Sequence, residues 1–121
     1  MRILVVDDDK LVLDFLKVFF ESLKHEVIIL SDYRDALKKL VVEQPDLVLL
    51  DIMMPGKDGL ELLKEMKDID KEVSIAMMTA YRDAERVIES FRLGAIDCLL
   101  KPFNIDYIVS TVMPRVILRK R

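Results

Sequence analysis

Short, mostly apolar runs alternate with longer stretches in which apolar residues recur at helical spacing. The runs occupy residues 3–6, 27–30, 47–50, 73–78 and 96–100. Between the first two runs, apolar residues recur at helical spacing, namely Leu11, Val12, Phe15, Leu16, Phe19 and Leu23. Short apolar strands separated by amphipathic helices are typical of βαβ units, whose parallel sheet is covered on both faces. The pattern therefore predicts an α/β fold with five such units in one compact domain over residues 1–121.

Glycine and proline positions support these boundaries. Pro55-Gly56 and Asp58-Gly59 are turn signals after the third run, and Gly94 suits a helix end with left-handed backbone. Pro114 breaks the pattern, because it falls inside the last helical stretch. A proline there is expected to kink or split that helix.

Composition narrows the classes of function. The net charge of −3 provides no basic field, so we expect no direct binding of nucleic acid. With Cys98 and His25 as the only cysteine and histidine, an internal disulfide and a Cys-rich or multi-histidine metal site are excluded. The chain has no stretch of about 20 apolar residues, so we expect no membrane-spanning helix. The first residues lack the features of a signal peptide, so we expect a cytoplasmic protein.

The rarer polar side chains stand where the predicted strands end. Asp7 and Asp8 follow the first strand, Asp51 the third, Thr79 the fourth and Lys101 the fifth. In open parallel sheets, ligands bind outside the carboxyl ends of the strands, where the strand order reverses. For a strand order of 2-1-3-4-5, that point lies between strands 1 and 3. The three aspartates would then face one another.

Such an arrangement has a definite chemistry. Neighbouring carboxylates raise one another's pKa unless a cation lies among them, and oxygen ligands with room for water suit Mg²⁺. Asp51 is then placed to accept a phosphoryl group on its carboxylate. Lys101 and the Thr79 hydroxyl are placed to contact phosphoryl oxygens. Phosphoryl transfer needs mainly positioning and charge neutralisation, and these residues provide both.

Each residue also has a purely structural interpretation. An aspartate after a strand is often a helix N-cap, which is the favoured interpretation of Asp9 and remains open for Asp7 and Asp8. Thr79 can cap the next helix, and Lys101 can be a solvated strand end. Their coincidence at one edge of the sheet is what favours a functional site.

Four stretches of the chain resemble the receiver domain of two-component response regulators. They are ILVVDDD at 3–9, PDLVLLDIMMPGKDG at 45–59, MTA at 78–80 and GAIDCLLKPF at 94–103. The resemblance covers essentially the whole chain. It implies a flavodoxin-like (βα)5 three-layer sandwich with a parallel five-stranded sheet of order 2-1-3-4-5. It also implies a phosphorelay signalling domain rather than an enzyme, with intrinsic self-phosphorylation and autodephosphorylation chemistry.

By matching positions, the resemblance implies roles for individual residues. Asp51 resembles the phosphoacceptor and a Mg²⁺ ligand. Asp8 resembles a direct metal ligand, and Asp7 one that acts mostly through water. Met53 would offer its backbone carbonyl to the metal.

The remaining roles concern the switch. Thr79 resembles the switch hydroxyl, and Lys101 the lysine that precedes a cis proline, here Pro102. Where the family usually has Tyr or Phe, this chain has Cys98. We therefore expect conformational coupling to run through Thr79 and helix 4. Tyr81 is expected to cover part of the site and slow hydrolysis of the acyl phosphate.

The resemblance further implies the partners. A sensor histidine kinase or a phosphotransfer protein would donate from a phosphohistidine, and the face formed by helix 4, strand 5 and helix 5 would dock partners or form a homodimer. Three alternatives remain. One is a haloacid-dehalogenase-type phosphatase with Asp7 as nucleophile, although Leu11 stands where Thr or Val is usual. The others are a flavin carrier, whose phosphate loop would be rich in Ser, Thr and Gly, and a receiver-like module that is never phosphorylated.

Overall fold

A five-stranded parallel sheet forms the centre of the computed structural model, which describes residues 1–80 and 83–119. Its strands are β1 (Arg2–Val6), β2 (Glu26–Leu30), β3 (Leu47–Asp51), β4 (Ser74–Thr79) and β5 (Asp97–Leu100). They lie in the order β2-β1-β3-β4-β5, so the predicted order 2-1-3-4-5 is confirmed. Tyr81, predicted to cover the site, lies outside the described residues.

Helices pack on both faces of the sheet. They are α1 (Lys10–Ser22), α2 (Ala36–Glu43), α3 (Gly59–Ile69), α4 (Ala84–Arg92) and α5, which has three segments: Ile105–Tyr107, Ile108–Val112 and Met113–Arg119. None of the helices in residues 1–80 and 83–119 has the length and hydropathy that a bilayer span requires. A two-residue antiparallel pair, Met53–Met54 with Lys57–Asp58, follows β3, where the sequence indicated only turns.

Alternating side chains of the sheet divide the apolar interior into two cores. In β1, Ile3 and Val5 pack against α1 and α5, and their neighbours Leu4 and Val6 pack against α2 and α3. The central strands are buried on both sides, as their apolar runs predicted. The protein is thus a three-layer α/β sandwich.

Helix α1 begins where the sequence placed it, and it buries only part of its predicted apolar set. Asp9 is its N-cap and accepts a hydrogen bond from the Leu11 N–H, which confirms the structural interpretation of Asp9. The buried side chains of α1 are Leu13, Leu16 and Phe20. Leu11 is 80% exposed, because α1 carries more apolar residues than the sheet can cover.

The last helix is interrupted, as Pro114 predicted. Residues Ile108–Val112 are π-helical, and the Met113 N–H donates to the Ile108 carbonyl, five residues earlier. Because proline has no N–H and its ring conflicts with the carbonyl four residues before it, the wider turn precedes Pro114. Gly94, after α4, has a φ of 105°, which confirms the left-handed helix end.

Candidate functional site

The predicted site residues meet at the carboxyl edge of the sheet. Asp51 and Thr79 are the last residues of β3 and β4, and Asp7 directly follows β1. The register pairs Asp51 with Met78, so Thr79 extends one residue beyond Asp51. The Lys101 N–H donates to the Thr79 carbonyl at 2.8 Å, which continues the pairing past the end of β5. The backbone ladder therefore fixes the relative position of these side chains.

Three carboxylates form the centre of the site. Asp7, Asp8 and Asp51 each offer an oxygen atom, and these oxygens lie within 4.8 Å of one another. Asp7 and Asp51 are buried, whereas Asp8 is exposed. Hard oxygen ligands at this spacing, with one of them open to solvent, suit a divalent cation that keeps part of its water shell.

Lys101 supplies the positive charge of the site. Its Nζ lies 2.6 Å from Asp7 Oδ2 and 3.4 Å from Asp51 Oδ2. Burial acts to lower the pKa of Lys101, but the hydrogen bond to Asp7 and the charges of both aspartates raise the pKa above its usual value. Lys101 is therefore a fixed cation between the two buried carboxylates. The Lys101-Pro102 bond is cis, as the resemblance implied.

The environment of Asp51 makes it a basic carboxylate. Burial, followed by the charge of Asp7, raises the pKa of Asp51 to about 6, while Lys101 and the Met53 N–H act in the opposite direction. That N–H donates to Asp51 Oδ1 at 3.1 Å. A carboxylate with a raised pKa is a better nucleophile than an ordinary one and is still largely ionised at neutral pH.

The turn after β3 approaches the site so closely that glycine is required there. A Cβ on Gly59 would lie 2.3 Å from the Asp51 carbonyl oxygen. Sequence analysis identified Asp58-Gly59 only as a turn signal. The contact from Arg86 to Asp58, at 2.6 Å, was also not predicted, because no local pattern pairs residues so far apart in the sequence.

Cys98, at the position where the resemblance expects an aromatic residue, is half-buried. Burial raises the pKa of its thiol, which therefore stays protonated at neutral pH. An apolar cavity of about 310 Å³ lies beside Cys98, lined also by Ala84, Val87, Ile88 and Leu100. Cys98 leaves space between α4 and β5.

Comparison with known proteins agrees with this architecture. The family model described as "Response regulator receiver domain" matches residues 3–113. The chain belongs to this family. The receiver domain is 40% identical over 111 residues to "Sporulation initiation phosphotransferase F" of Bacillus subtilis, covering 92% of this chain and 90% of that protein.

One further relative by sequence and one by structure show the same similarity. The "Alkaline phosphatase synthesis transcriptional regulatory protein PhoP" of Bacillus subtilis is 38% identical over 85% of this chain, which spans only 43% of that protein. A CheY-like receiver domain structure from Methanospirillum hungatei JF-1 superposes with a TM-score of 0.92 at 30% identity, covering 98% of this chain and 95% of the other. The predicted fold and the predicted role in two-component phosphorelay are confirmed. The confirmed fold and role replace the two alternative interpretations, a haloacid-dehalogenase-type phosphatase and a flavin carrier.

Proposed function

We propose that this receiver domain, over residues 1–121, accepts a phosphoryl group on Asp51 with Mg²⁺ as its cofactor. The observation that carries the proposal is the position of Asp51. Its carboxylate is buried at the carboxyl edge of the sheet, beside two further aspartates and 3.4 Å from the Lys101 ammonium. Helix capping does not account for this cluster of aspartates, because Asp9 already caps α1.

In the proposed reaction, an Asp51 carboxylate oxygen attacks the phosphorus atom of the donor. The new O–P bond forms while the bond from phosphorus to the donor's leaving atom breaks, and the electron pair of that bond leaves with the donor. Lys101 holds a phosphoryl oxygen through its ammonium group. The Thr79 hydroxyl donates to another phosphoryl oxygen, which draws the end of β4 towards the site. Both contacts stabilise negative charge and need no proton transfer.

The carboxylate oxygens that would hold Mg²⁺ are those of Asp7, Asp8 and Asp51, which lie within 4.8 Å of one another. As the family resemblance implies, Asp8 would bind directly, Asp7 mostly through water, and the Met53 carbonyl would complete the set. When bound, Mg²⁺ neutralises charge on the carboxylates and on the phosphoryl oxygens. The carboxylate cluster found among the described residues consists of hard oxygen donors, which fit Mg²⁺ better than a softer metal.

A protein donor needs a docking surface close to Asp51, and α1 offers one. Leu11, Phe15 and Val18 are 80%, 51% and 70% exposed, and they lie three or four residues apart along one side of α1. This apolar stripe starts two residues after Asp9, at the rim of the site. We infer that a histidine kinase or phosphotransfer protein binds along it and presents a phosphohistidine to Asp51.

A second exposed apolar surface lies on the face formed by α4, β5 and α5. Ile88, Phe91 and Leu100 are 52%, 47% and 42% exposed there, and Val109 and Ile117 of α5 are also exposed. We infer that this face docks the downstream partner or a second copy of the domain. Phosphorylation would favour one arrangement of α4 over another and so change this surface.

Intact-mass analysis tests the proposed function. Wild-type protein is incubated with Mg²⁺ and a small phosphodonor, alongside Asp51→Asn and Asp68→Asn, which changes an exposed carboxylate on α3. We expect one added phosphoryl group on the wild type and on Asp68→Asn, and none on Asp51→Asn. Chelation of Mg²⁺ is expected to abolish the gain.

Two outcomes would contradict the proposal. Equal modification of wild type and Asp51→Asn would remove Asp51 as the acceptor. No modification of any variant, by a small donor or by a histidine phosphotransfer protein, would favour the alternative of a receiver-like module that is never phosphorylated.

A further inference from the structure

Helix α4 has little apolar anchorage to the sheet. Ser90 is its one fully buried residue among those described, and Ile88 and Phe91 are about half exposed. The cavity of about 310 Å³ lies between the apolar side chains of α4 and Cys98 on β5. Since the exposed side chains of Ile88 and Leu100 line this cavity, it is open to solvent, and little apolar surface of α4 is buried to hold the helix in place.

An ion pair anchors the first turn of α4 instead. Arg86 Nη2 donates to Asp58 Oδ1 at 2.6 Å, and the two side chains are only 29% and 35% exposed. The same Asp58 oxygen accepts the Leu60 N–H at 2.8 Å and so caps α3. The Arg86 Nε is buried and has no hydrogen-bond partner within the part of the chain that the structure describes. The guanidinium is therefore held mainly by Asp58.

Asp58 is connected to the proposed phosphorylation site through the contacts of one intermediate residue. It pairs with Met53 in the short antiparallel hairpin after β3. The Met53 N–H in turn donates to Asp51 Oδ1. A continuous series of contacts thus runs from Arg86 on α4, through Asp58 and Met53, to Asp51.

We propose that Arg86 is a positioning residue whose ion pair with Asp58 couples the placement of α4 to that of Met53 and hence to the cation and phosphoryl site. This coupling rests on the proposed function, since it requires Mg²⁺ to bind beside Met53 and Asp51. Coupling between two sites is reciprocal. Mg²⁺ binding therefore stabilises the first turn of α4, and loss of the ion pair weakens Mg²⁺ binding.

The test uses the full chain and Mg²⁺ alone as the probe. Mg²⁺ affinity is measured by calorimetry, and amide hydrogen exchange is followed in α4, where the Val87 N–H donates to the Asp83 carbonyl. We expect Arg86→Gln to weaken Mg²⁺ binding about five-fold, the lower end of measured couplings, and to remove the Mg²⁺-dependent protection of α4. Arg86→Lys, which keeps the charge, is expected to recover part of both effects.

A double-mutant cycle separates coupling from general disruption. Asp58→Asn keeps a side-chain oxygen for the α3 cap but loses the charge. It is expected to match Arg86→Gln, and the double variant to be no worse than either. Arg92→Gln is the matched control, because Arg92 lies on the same helix in an exposed pair with Glu89 at 3.8 Å. We expect it to behave as wild type.

The outcomes distinguish this inference from the proposed function. Unchanged Mg²⁺ affinity and unchanged α4 protection in Arg86→Gln would overturn the coupling while Asp51 phosphorylation stands. Fully additive effects of Arg86→Gln and Asp58→Asn would also overturn it. Absence of Mg²⁺ binding by the wild type would overturn the proposed function and the coupling together.

Discussion

Aspartates of identical chemistry have different roles in this chain because their surroundings differ. Asp9 and Asp58 cap helices through backbone N–H groups. Asp51 is buried beside Asp7, and the pKa of Asp51 therefore rises to about 6. Sequence position identified Asp51 as a strand-end residue, but its burial beside Asp7 and its contact with Lys101 were seen only in the structure.

Tyr107 offers a residue-scale test of the packing of α5 on β5. Its hydroxyl donates to the buried Asp97 carboxylate, and this hydrogen bond is the main reason that the pKa of Tyr107 is raised. A group whose pKa is higher in the folded state adds stability below its unfolded pKa, about 10 for tyrosine, and loses it as the pH rises. We expect Tyr107→Phe to reduce the free energy of unfolding by about 1 kcal/mol at pH 7.

The measurement is urea unfolding of wild type and Tyr107→Phe from neutral pH to pH 11. The difference between them should shrink as the pH passes 10, because the wild type then loses the contribution of the Tyr107 hydroxyl. Tyr33→Phe serves as the matched tyrosine control. A difference that stays constant over the whole range would show that the hydrogen bond to Asp97 is not its source.

At the scale of elements, the helical period of α1 was correctly predicted, whereas its buried face was left open by the sequence. Of the apolar residues that recur at helical spacing, Leu16 is fully buried, whereas Leu11 and Phe15 are exposed. Leu13 and Phe20 complete the face that packs on the sheet. With apolar residues on more than one side, the sequence alone left the orientation of α1 open. Packing on the sheet determines which face of α1 is buried, and several other apolar residues of α1 remain exposed.

If that exposed surface of α1 docks a protein donor, a substitution in it should slow transfer from a protein donor but not from a small phosphodonor. We expect Phe15→Ser to slow transfer from a histidine phosphotransfer protein at least ten-fold, the loss typical of a central aromatic contact. Transfer from a small phosphodonor should be unchanged, because Phe15 does not contact Asp51. Phosphorylation rates with the two donors, measured by mass, check this.

A matched control for Phe15→Ser is Phe91→Ser, which changes a residue of similar exposure (47% against 51%) on the distant helix α4. It should leave both rates near wild type. If Phe15→Ser slowed both donors equally, the α1 stripe would act on the site itself and not on docking.

At the scale of the whole molecule, the ends of three strands bring three carboxylates and one ammonium group to one place, so a cation bound there should stabilise the entire fold. At about ten times its dissociation constant, a ligand specific for the folded state adds about 1.4 kcal/mol. For a domain of this size, that corresponds to a rise in Tm of roughly 4–6 °C.

Thermal unfolding with and without Mg²⁺ at constant ionic strength checks this expectation. Asp8→Asn should lose most of the rise in Tm, because Asp8 is proposed to bind the Mg²⁺ ion directly, whereas Asp68→Asn should keep it. A full rise in Asp8→Asn would place the Mg²⁺ ion elsewhere.

Much of this protein follows from its sequence alone. Five apolar runs separated by helical patterns specified the parallel sheet, since strands buried on both faces need uninterrupted apolar residues. The strand ends carried Asp7, Asp51, Thr79 and Lys101, and the reversal of strand order required those ends to meet. Gly94 and Pro114 set the ends and breaks of helices because their backbone restrictions are local.

Only the tertiary structure decided which apolar surfaces stay exposed and which side chains from separate elements come into contact. The buried face of α1, the cavity beside Cys98 and the ion pair between Arg86 and Asp58 depend on how separate elements pack. No local pattern encodes them, because each joins residues distant in sequence whose proximity is a property of the assembled sheet and helices. The same reason explains why the strand-end position of Asp51 could be predicted from the sequence and the ion pair of Arg86 with Asp58 could not.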